Sequence, residues 1–195
     1  MQLPPPFRSA TPDDAAALAD FVNMAGEGMP LYLWGRMAEP GEDAWAVGRA
    51  RAVRESGSFS YRNAIVLEED ARVAAALIGY RLPDTPEPID YATMPAMFVG
   101  LQELENLAPK TWYVNVVAVY PEHRGKGFGT KLLALAEDLG HETDADGMSI
   151  IVADANIAAR RLYERTGYRP AATRKIVKES WESPAEEWIL LLKDL

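Results

Sequence analysis

The chain of 195 residues contains no cysteine. Disulfides, thiolate nucleophiles, iron–sulfur clusters and thiolate zinc sites are therefore excluded from its chemistry. Histidine is almost missing too: His123 and His141 are the only two, too few for a three-histidine metal centre, and no metal is expected. No uninterrupted apolar stretch approaches the roughly 20 residues of a membrane span. The opening Met-Gln-Leu-Pro-Pro-Pro has neither the basic n-region nor the apolar run of a signal peptide, so a cytoplasmic protein is expected. Positive charge is in deficit, 20 Lys and Arg against 29 Asp and Glu, a formal charge of −9. Nucleic acid and anionic membranes are disfavoured as partners, because phosphates are repelled at long range. Any anionic ligand has to be met locally.

What is present reads as an ordinary globular chain, 48% hydrophobic and 25% charged, of a length that fits one domain over 1–195. Thr11, Pro12, Asp13 and Asp14 signal the start of a helix over 12–25. Further helices are expected at 31–38 and 42–56, so that residues 1–58 form a helical N-terminal part. Residues 61–68 and 71–81 read as an antiparallel hairpin about Glu69-Asp70. Four prolines between 83 and 95 make that stretch an irregular loop, followed by a short helix over 95–106. The run 111–119 is nearly all β-branched, aromatic or apolar, the pattern of a central strand covered on both faces. Phe128, Leu132, Leu135, Ala136 and Leu139 then recur at helical spacing up to Gly140, which can cap the end. A strand over 148–153, a helix over 156–166 ended by Gly167, and strands over 168–178 and 186–193 complete the pattern. Strand, helix, strand in this order implies a parallel pair joined by a right-handed crossover.

Between the central strand and its helix lies Val119-Tyr-Pro-Glu-His-Arg-Gly-Lys-Gly-Phe-Gly-Thr-Lys131, with glycines at 125, 127 and 129. Without β-carbons, backbone N–H groups there can approach a ligand closely, and the following helix adds its free N–H groups and positive dipole end. A pyrophosphate suits this turn. The P-loop spacing fails, and the dinucleotide fingerprint fails because Thr130 stands where its third glycine belongs. What remains is Arg-x-x-Gly-x-Gly at 124–129. It resembles the pyrophosphate loop of the GCN5-related N-acetyltransferase (GNAT) superfamily, and the string 117–133 is similar to that family at almost every position.

A second signal follows the next strand. Asn156 can cap a helix on which Tyr163 lies two turns further along the same face. Either residue alone reads as a plain cap or a core tyrosine. Together, Asn-x-x-Ala-x-x-x-Tyr-x-x-x-Gly-Tyr over 156–168 resembles the family's second motif at its usual distance from the first.

The resemblance implies a mixed α/β single-domain fold: a central, mostly antiparallel twisted sheet with one splayed parallel strand pair, flanked by helices, with 111–178 as the acetyl-coenzyme A core. It implies that Val117, Ala118 and Val119 pair with the pantetheine arm, and that Val117 N–H is the oxyanion donor. Arg124, Gly125, Lys126, Gly127, Phe128, Gly129 and Thr130 would hold the pyrophosphate. Asn156 would bond the pantetheine or phosphate region, and Tyr163 would protonate the leaving thiolate. The implied activity is direct acetyl transfer from acetyl-coenzyme A to a primary amine of a small molecule or peptide. A non-catalytic acyl-coenzyme A sensor is the alternative, and pairing with a second copy is left open. Many relatives carry a strand glutamate as base, whereas here the strand offers only Asn115. Glu103, Glu105 and Asp154 are candidate bases acting through water, and Tyr32, Trp34, Trp45, Tyr91 and Trp112 are candidate acceptor-pocket residues. Charge is uneven: 16 acidic against 9 basic residues in 1–110, but seven Arg and Lys against Glu164 in 160–178. That distribution permits one compact anion despite the overall sign.

Overall fold

A computed structural model describes residues 3–195. Its helices are α1 Ala15–Ala25, α2 Met29–Met37, α3 Ala44–Ala52, α4 Ala96–Glu105, α5 Phe128–Glu142 and α6 Ile157–Arg165. Its strands are β1 Phe7–Ser9, β2 Ala64–Glu69, β3 Arg72–Arg81, β4 Trp112–Val119, β5 Gly147–Ala153, β6 Arg169–Lys175 and β7 Glu187–Asp194. The strand order is β1-β2-β3-β4-β5-β7-β6. The β4–β5 ladder is parallel, and those of β1–β2, β2–β3, β5–β7 and β6–β7 are antiparallel. This is the mixed α/β, mostly antiparallel arrangement expected. The chain divides into two compact units, one of residues up to Gly79 with Asn115–Leu133, the other of Tyr80–Val114 with Ala134–Leu195.

The first unit begins with β1, which the sequence pattern does not announce because three residues carry too little alternation. Phe7 pairs with Leu67 and Ser9 with Ile65. The helix signalled at Thr11 opens as a short 3-10 turn, Pro12–Asp14, before α1. Asp14 fixes this entry: its carboxylate accepts the Thr11 N–H at 2.7 Å and both terminal nitrogens of Arg8 at 2.8 and 2.9 Å. Leu18, Ala19 and Phe21 of α1 are buried with Trp34, Val66, Ile78, Val116 and Ala118 in one apolar cluster. The β2–β3 hairpin turns at Asp70 and Ala71, both at positive φ (51° and 58°), a conformation that suits the twist of tightly linked antiparallel strands.

Strand β4 is buried on both faces only over Trp112, Tyr113 and Val114; beyond them Val116 and Ala118 are buried while Asn115, Val117 and Val119 are half-exposed. The expectation of cover on both faces thus holds for its first three residues alone.

In the second unit, Trp112, Tyr113 and Val114 pair in parallel with Met148, Ser149 and Ile150. Helix α5 runs through Gly140 to Glu142, so Gly140 is not its cap. A glycine inside a helix costs roughly 1 kcal/mol relative to alanine. It stands here because an added β-carbon would lie 2.8 Å from Leu195 Cδ1 and 2.9 Å from Met148 Sδ. Gly167 does end α6, at φ 98°. The proline-rich stretch 83–95 contains neither helix nor strand, as its composition dictates. Its near end is clasped to α4: Glu87 N–H donates to Asn106 Oδ1 and Asn106 Nδ2 donates to Glu87 O, each at 2.8 Å.

Candidate functional site

The ten turn residues singled out in the sequence, Val117 to Val119 and Arg124 to Thr130, all fall in the first unit. β4 ends at Val119, a 3-10 turn spans Pro121–His123, and α5 starts at Phe128. Gly125 and Gly127 both adopt φ 77°, a region that penalises any residue with a β-carbon. A β-carbon added at either would meet nothing within 4 Å, so the space beside these two backbones is open. Gly127 C=O accepts the Lys131 N–H at 3.1 Å, which starts the helical ladder. The N–H groups of Phe128, Gly129 and Thr130 therefore belong to the first turn, whose donors lack intrahelical acceptors. The Phe128 side chain is buried, with Lys131 Nζ 5.5 Å from its ring centroid. Arg124 is exposed and folds back so that its Nε donates to Val119 O at 3.3 Å. Open backbone donors, a helix start and a free guanidinium edge fit a pyrophosphate.

Side chains outside the motif hold this turn. Glu69, at the end of β2, accepts from Lys126 Nζ at 2.6 Å, and its same Oε2 lies 2.6 Å from His123 Nδ1. Bonds from Lys126 and His123 keep the Glu69 carboxyl below its ordinary range. Tyr120 is held by Asp20 of α1 and by the Phe21 ring, 4.3 Å away between centroids. No local pattern marks Glu69 or Asp20, because each reaches the turn from a distant part of the chain.

Asn156 and Tyr163 fall in the second unit. Asn156 is the N-cap of α6: its Oδ1 accepts the Ala159 N–H at 3.1 Å. Tyr163 is buried, its ring 6.1 Å from that of Tyr168, and burial pushes its hydroxyl pKa above the ordinary tyrosine value. It therefore stays protonated at neutral pH. Tyr113 of β4 is buried beside Tyr80, with ring centroids 5.8 Å apart. Burial pushes its hydroxyl up, and Glu105, Tyr80 and Tyr163 lie within electrostatic reach and add to the shift. Tyr113 and Tyr80 carry no sequence signal of their own, because aromatics in apolar strands read as core.

The three carboxyls considered as bases differ in state. Glu103 is engaged by Arg174 Nε at 2.5 Å and by the Tyr91 hydroxyl at 3.3 Å. Burial pushes Asp154 up, but backbone N–H groups of Glu186, Glu187 and Ala155 outweigh that and hold it low. Glu105 is different: burial, reinforced by Glu87, pushes its carboxyl from 4.5 to about 7. It lines a hollow of ≈ 20 Å³ with Glu87, Gln102 and Asn106, enough for one water.

Of the aromatic residues expected in an acceptor pocket, Tyr32, Trp34 and Trp45 fall in the first unit and Tyr91 and Trp112 in the second. Trp34 is buried among Trp45 and Phe59, Trp112 is buried in β4, and Tyr91 is 66% exposed. The basic run 160–178 is partly neutralised by pairs the count alone does not show, Arg174–Glu103 and Lys178–Glu186. Among the described residues no group of His, Asp and Glu could hold a metal ion, and no helix is long and apolar enough to cross a membrane.

A model of the acetyltransferase (GNAT) family matches residues 34–168. The "uncharacterized N-acetyltransferase YhfO" of Bacillus subtilis (strain 168) is 30% identical over 113 residues, which cover 55% of this chain and 76% of that protein. A crystal structure described only as an acetyltransferase superposes with a TM-score of 0.64 at 20% identity, covering 96% of this chain and 98% of its own. That of an N-acetyltransferase from Staphylococcus aureus Mu50 gives 0.63 at 20% identity, covering 95% and 98%. At such identity the two structures bear on the fold.

Proposed function

The chain belongs to the GNAT acetyltransferase family, and from that premise we propose that it transfers the acetyl group of acetyl-coenzyme A directly to a primary amine of a small molecule or peptide. The observation that carries this reading is the open glycine cradle, Gly125 and Gly127 at φ 77° with free space beside both, set between β4 and the start of α5. Backbone N–H groups of residues 125–130 with Arg124 would hold the pyrophosphate, and Val117 to Val119 would pair with the pantetheine arm. Acetyl-coenzyme A supplies an acetyl carbon activated as a thioester, so a chain without cysteine needs no nucleophile of its own.

Each proton then has a named place. The attacking nitrogen gives up a proton as the C–N bond forms, and Glu105 suits its receipt through water, since a base works best with a pKa close to the working pH. The sulfur takes a proton as the C–S bond breaks, and Tyr163, kept protonated by burial, suits that donation. The Val117 N–H would steady the oxyanion formed between these events. Glu105 and Tyr163 both fall in the second unit, and each adds to the upward shift of Tyr113.

The test has two parts. Acetyl-coenzyme A at well above micromolar concentration is expected to raise the melting temperature, and the absence of any rise removes the reading. Free-thiol release over a panel of amines then separates an enzyme from a binding module. Tyr163→Phe is expected to retain cofactor affinity and to lower turnover about a hundredfold or more. Equal loss of affinity and turnover makes Tyr163 structural, and ping-pong kinetics contradict direct transfer.

A further inference from the structure

The exposed part of the phosphate turn has little packing to order it. Pro121, Glu122 and Arg124 to Gly127 are all exposed, and two of these residues are glycines, which lose more conformational freedom on ordering than any other residue. Its backbone is held by few bonds: His123 N–H to Tyr120 O at 2.9 Å, Arg124 N–H to Pro121 O at 3.2 Å, and Lys131 N–H to Gly127 O at 3.1 Å. All three are local and would move with the turn.

One carboxylate ties it to the sheet. Glu69 Oε2 is 2.6 Å from both Lys126 Nζ and His123 Nδ1, so a single oxygen grips the residues on either side of Gly125. Glu69 is itself well anchored. It closes β2, pairs with Arg72 across the hairpin, and precedes the tight turn at Asp70 and Ala71. Tyr120 N–H donates to Ala74 O of β3 at 3.0 Å, so the start of the turn hangs on the same hairpin.

We propose that Glu69 is a positioning residue for cofactor binding: it holds His123 and Lys126 so that the backbone between them is presented to the pyrophosphate already ordered. The proposal rests on the acetyl-coenzyme A reading above. An opposing effect has to be weighed, since a carboxylate near a phosphate site repels the ligand. Two groups already satisfy this carboxylate, one of them the Lys126 cation, which reduces its outward field. Lys126 also has three N–H donors, of which Glu69 uses one. Ordering therefore outweighs repulsion, and removing Glu69 weakens binding.

Glu69 borders an open hollow of ≈ 450 Å³ together with Arg72, Val73, Tyr120 and Glu122, so its truncation leaves no buried void. Both Glu69→Ala and Glu69→Gln are thus expected to fold, with ligand-free melting temperatures close to that of the parent. The dissociation constant of acetyl-coenzyme A, measured by titration calorimetry, is expected to rise about fivefold to tenfold in Glu69→Ala and less than about threefold in Glu69→Gln, which keeps one acceptor oxygen. Affinity in Glu69→Ala equal to or tighter than the parent overturns the proposal, as does tighter binding by Glu69→Gln. A parent protein that does not bind acetyl-coenzyme A removes the functional reading and this one with it. A parent that binds and an alanine variant that binds equally well remove only the role of Glu69.

Discussion

The hydroxyl of Tyr120 donates to Oδ2 of Asp20 at 2.9 Å, joining the residue that follows β4 to helix α1 across 100 positions of sequence. Its ring meanwhile packs against Phe21 at 4.3 Å. The entry to the glycine turn is thereby held by one polar and one apolar contact with the same helix.

Tyr120→Phe separates the two contacts, since it keeps the ring and deletes the donor. A partly buried hydrogen bond to a charged acceptor predicts a loss of about 1 kcal/mol in urea unfolding. An unchanged midpoint shows that water replaces the hydroxyl at no cost. Cofactor affinity should fall less than in Glu69→Ala, because the turn keeps its second anchor.

Gly127→Val probes the cradle itself. A β-branched residue at φ 77° is strained by about 1 to 2 kcal/mol, and its side chain occupies the open space beside the turn. The folded protein is expected to survive with a lowered melting temperature, while acetyl-coenzyme A binding measured by calorimetry is lost. Retained affinity places the pyrophosphate elsewhere.

Glu105 makes stability depend on pH in a defined direction. Its carboxyl stands at about 7 in the folded protein against an ordinary 4.5, so the fold favours the protonated form. Below the ordinary value the group is protonated in both states and costs nothing. As pH rises from about 4.5 to 7 the unfolded chain ionises first, and the fold loses stability relative to it; above 7 the loss is complete. Glu105→Gln should remove that part of the slope and stabilise the protein by on the order of 2 kcal/mol at pH 8, with little effect at pH 4. Urea unfolding at the two pH values checks this, and equal effects at both would refute it.

Much of this architecture is legible in local sequence because it is decided locally. Thr11 and Pro12 mark the helix entry, four prolines exclude regular structure from 83–95, and the apolar run 111–119 forms the strand. Gly125, Gly127 and Gly167 stand at positive φ where their lack of a β-carbon is needed, and Asn156 caps α6. Backbone sterics, side-chain period and capping act within a few residues, so the chain itself records them.

Other features depend on where distant residues arrive. Gly140 reads as a cap, yet it lies inside α5, where an added β-carbon would meet the side chains of Leu195 and Met148. Strand β1 exists only through its pairing with β2. Glu69, an unremarkable hairpin residue, reaches Lys126 across 57 positions and His123 across 54. Of three carboxyls equally eligible in the sequence, ion pairing engages Glu103, backbone donors hold Asp154 low, and burial with the nearby Glu87 raises Glu105. Sequence by itself determined most of the elements and the glycine turn, whose causes are local. Tertiary structure decided which polar groups are paired, buried or free, because desolvation and charge pairing depend on neighbours in space.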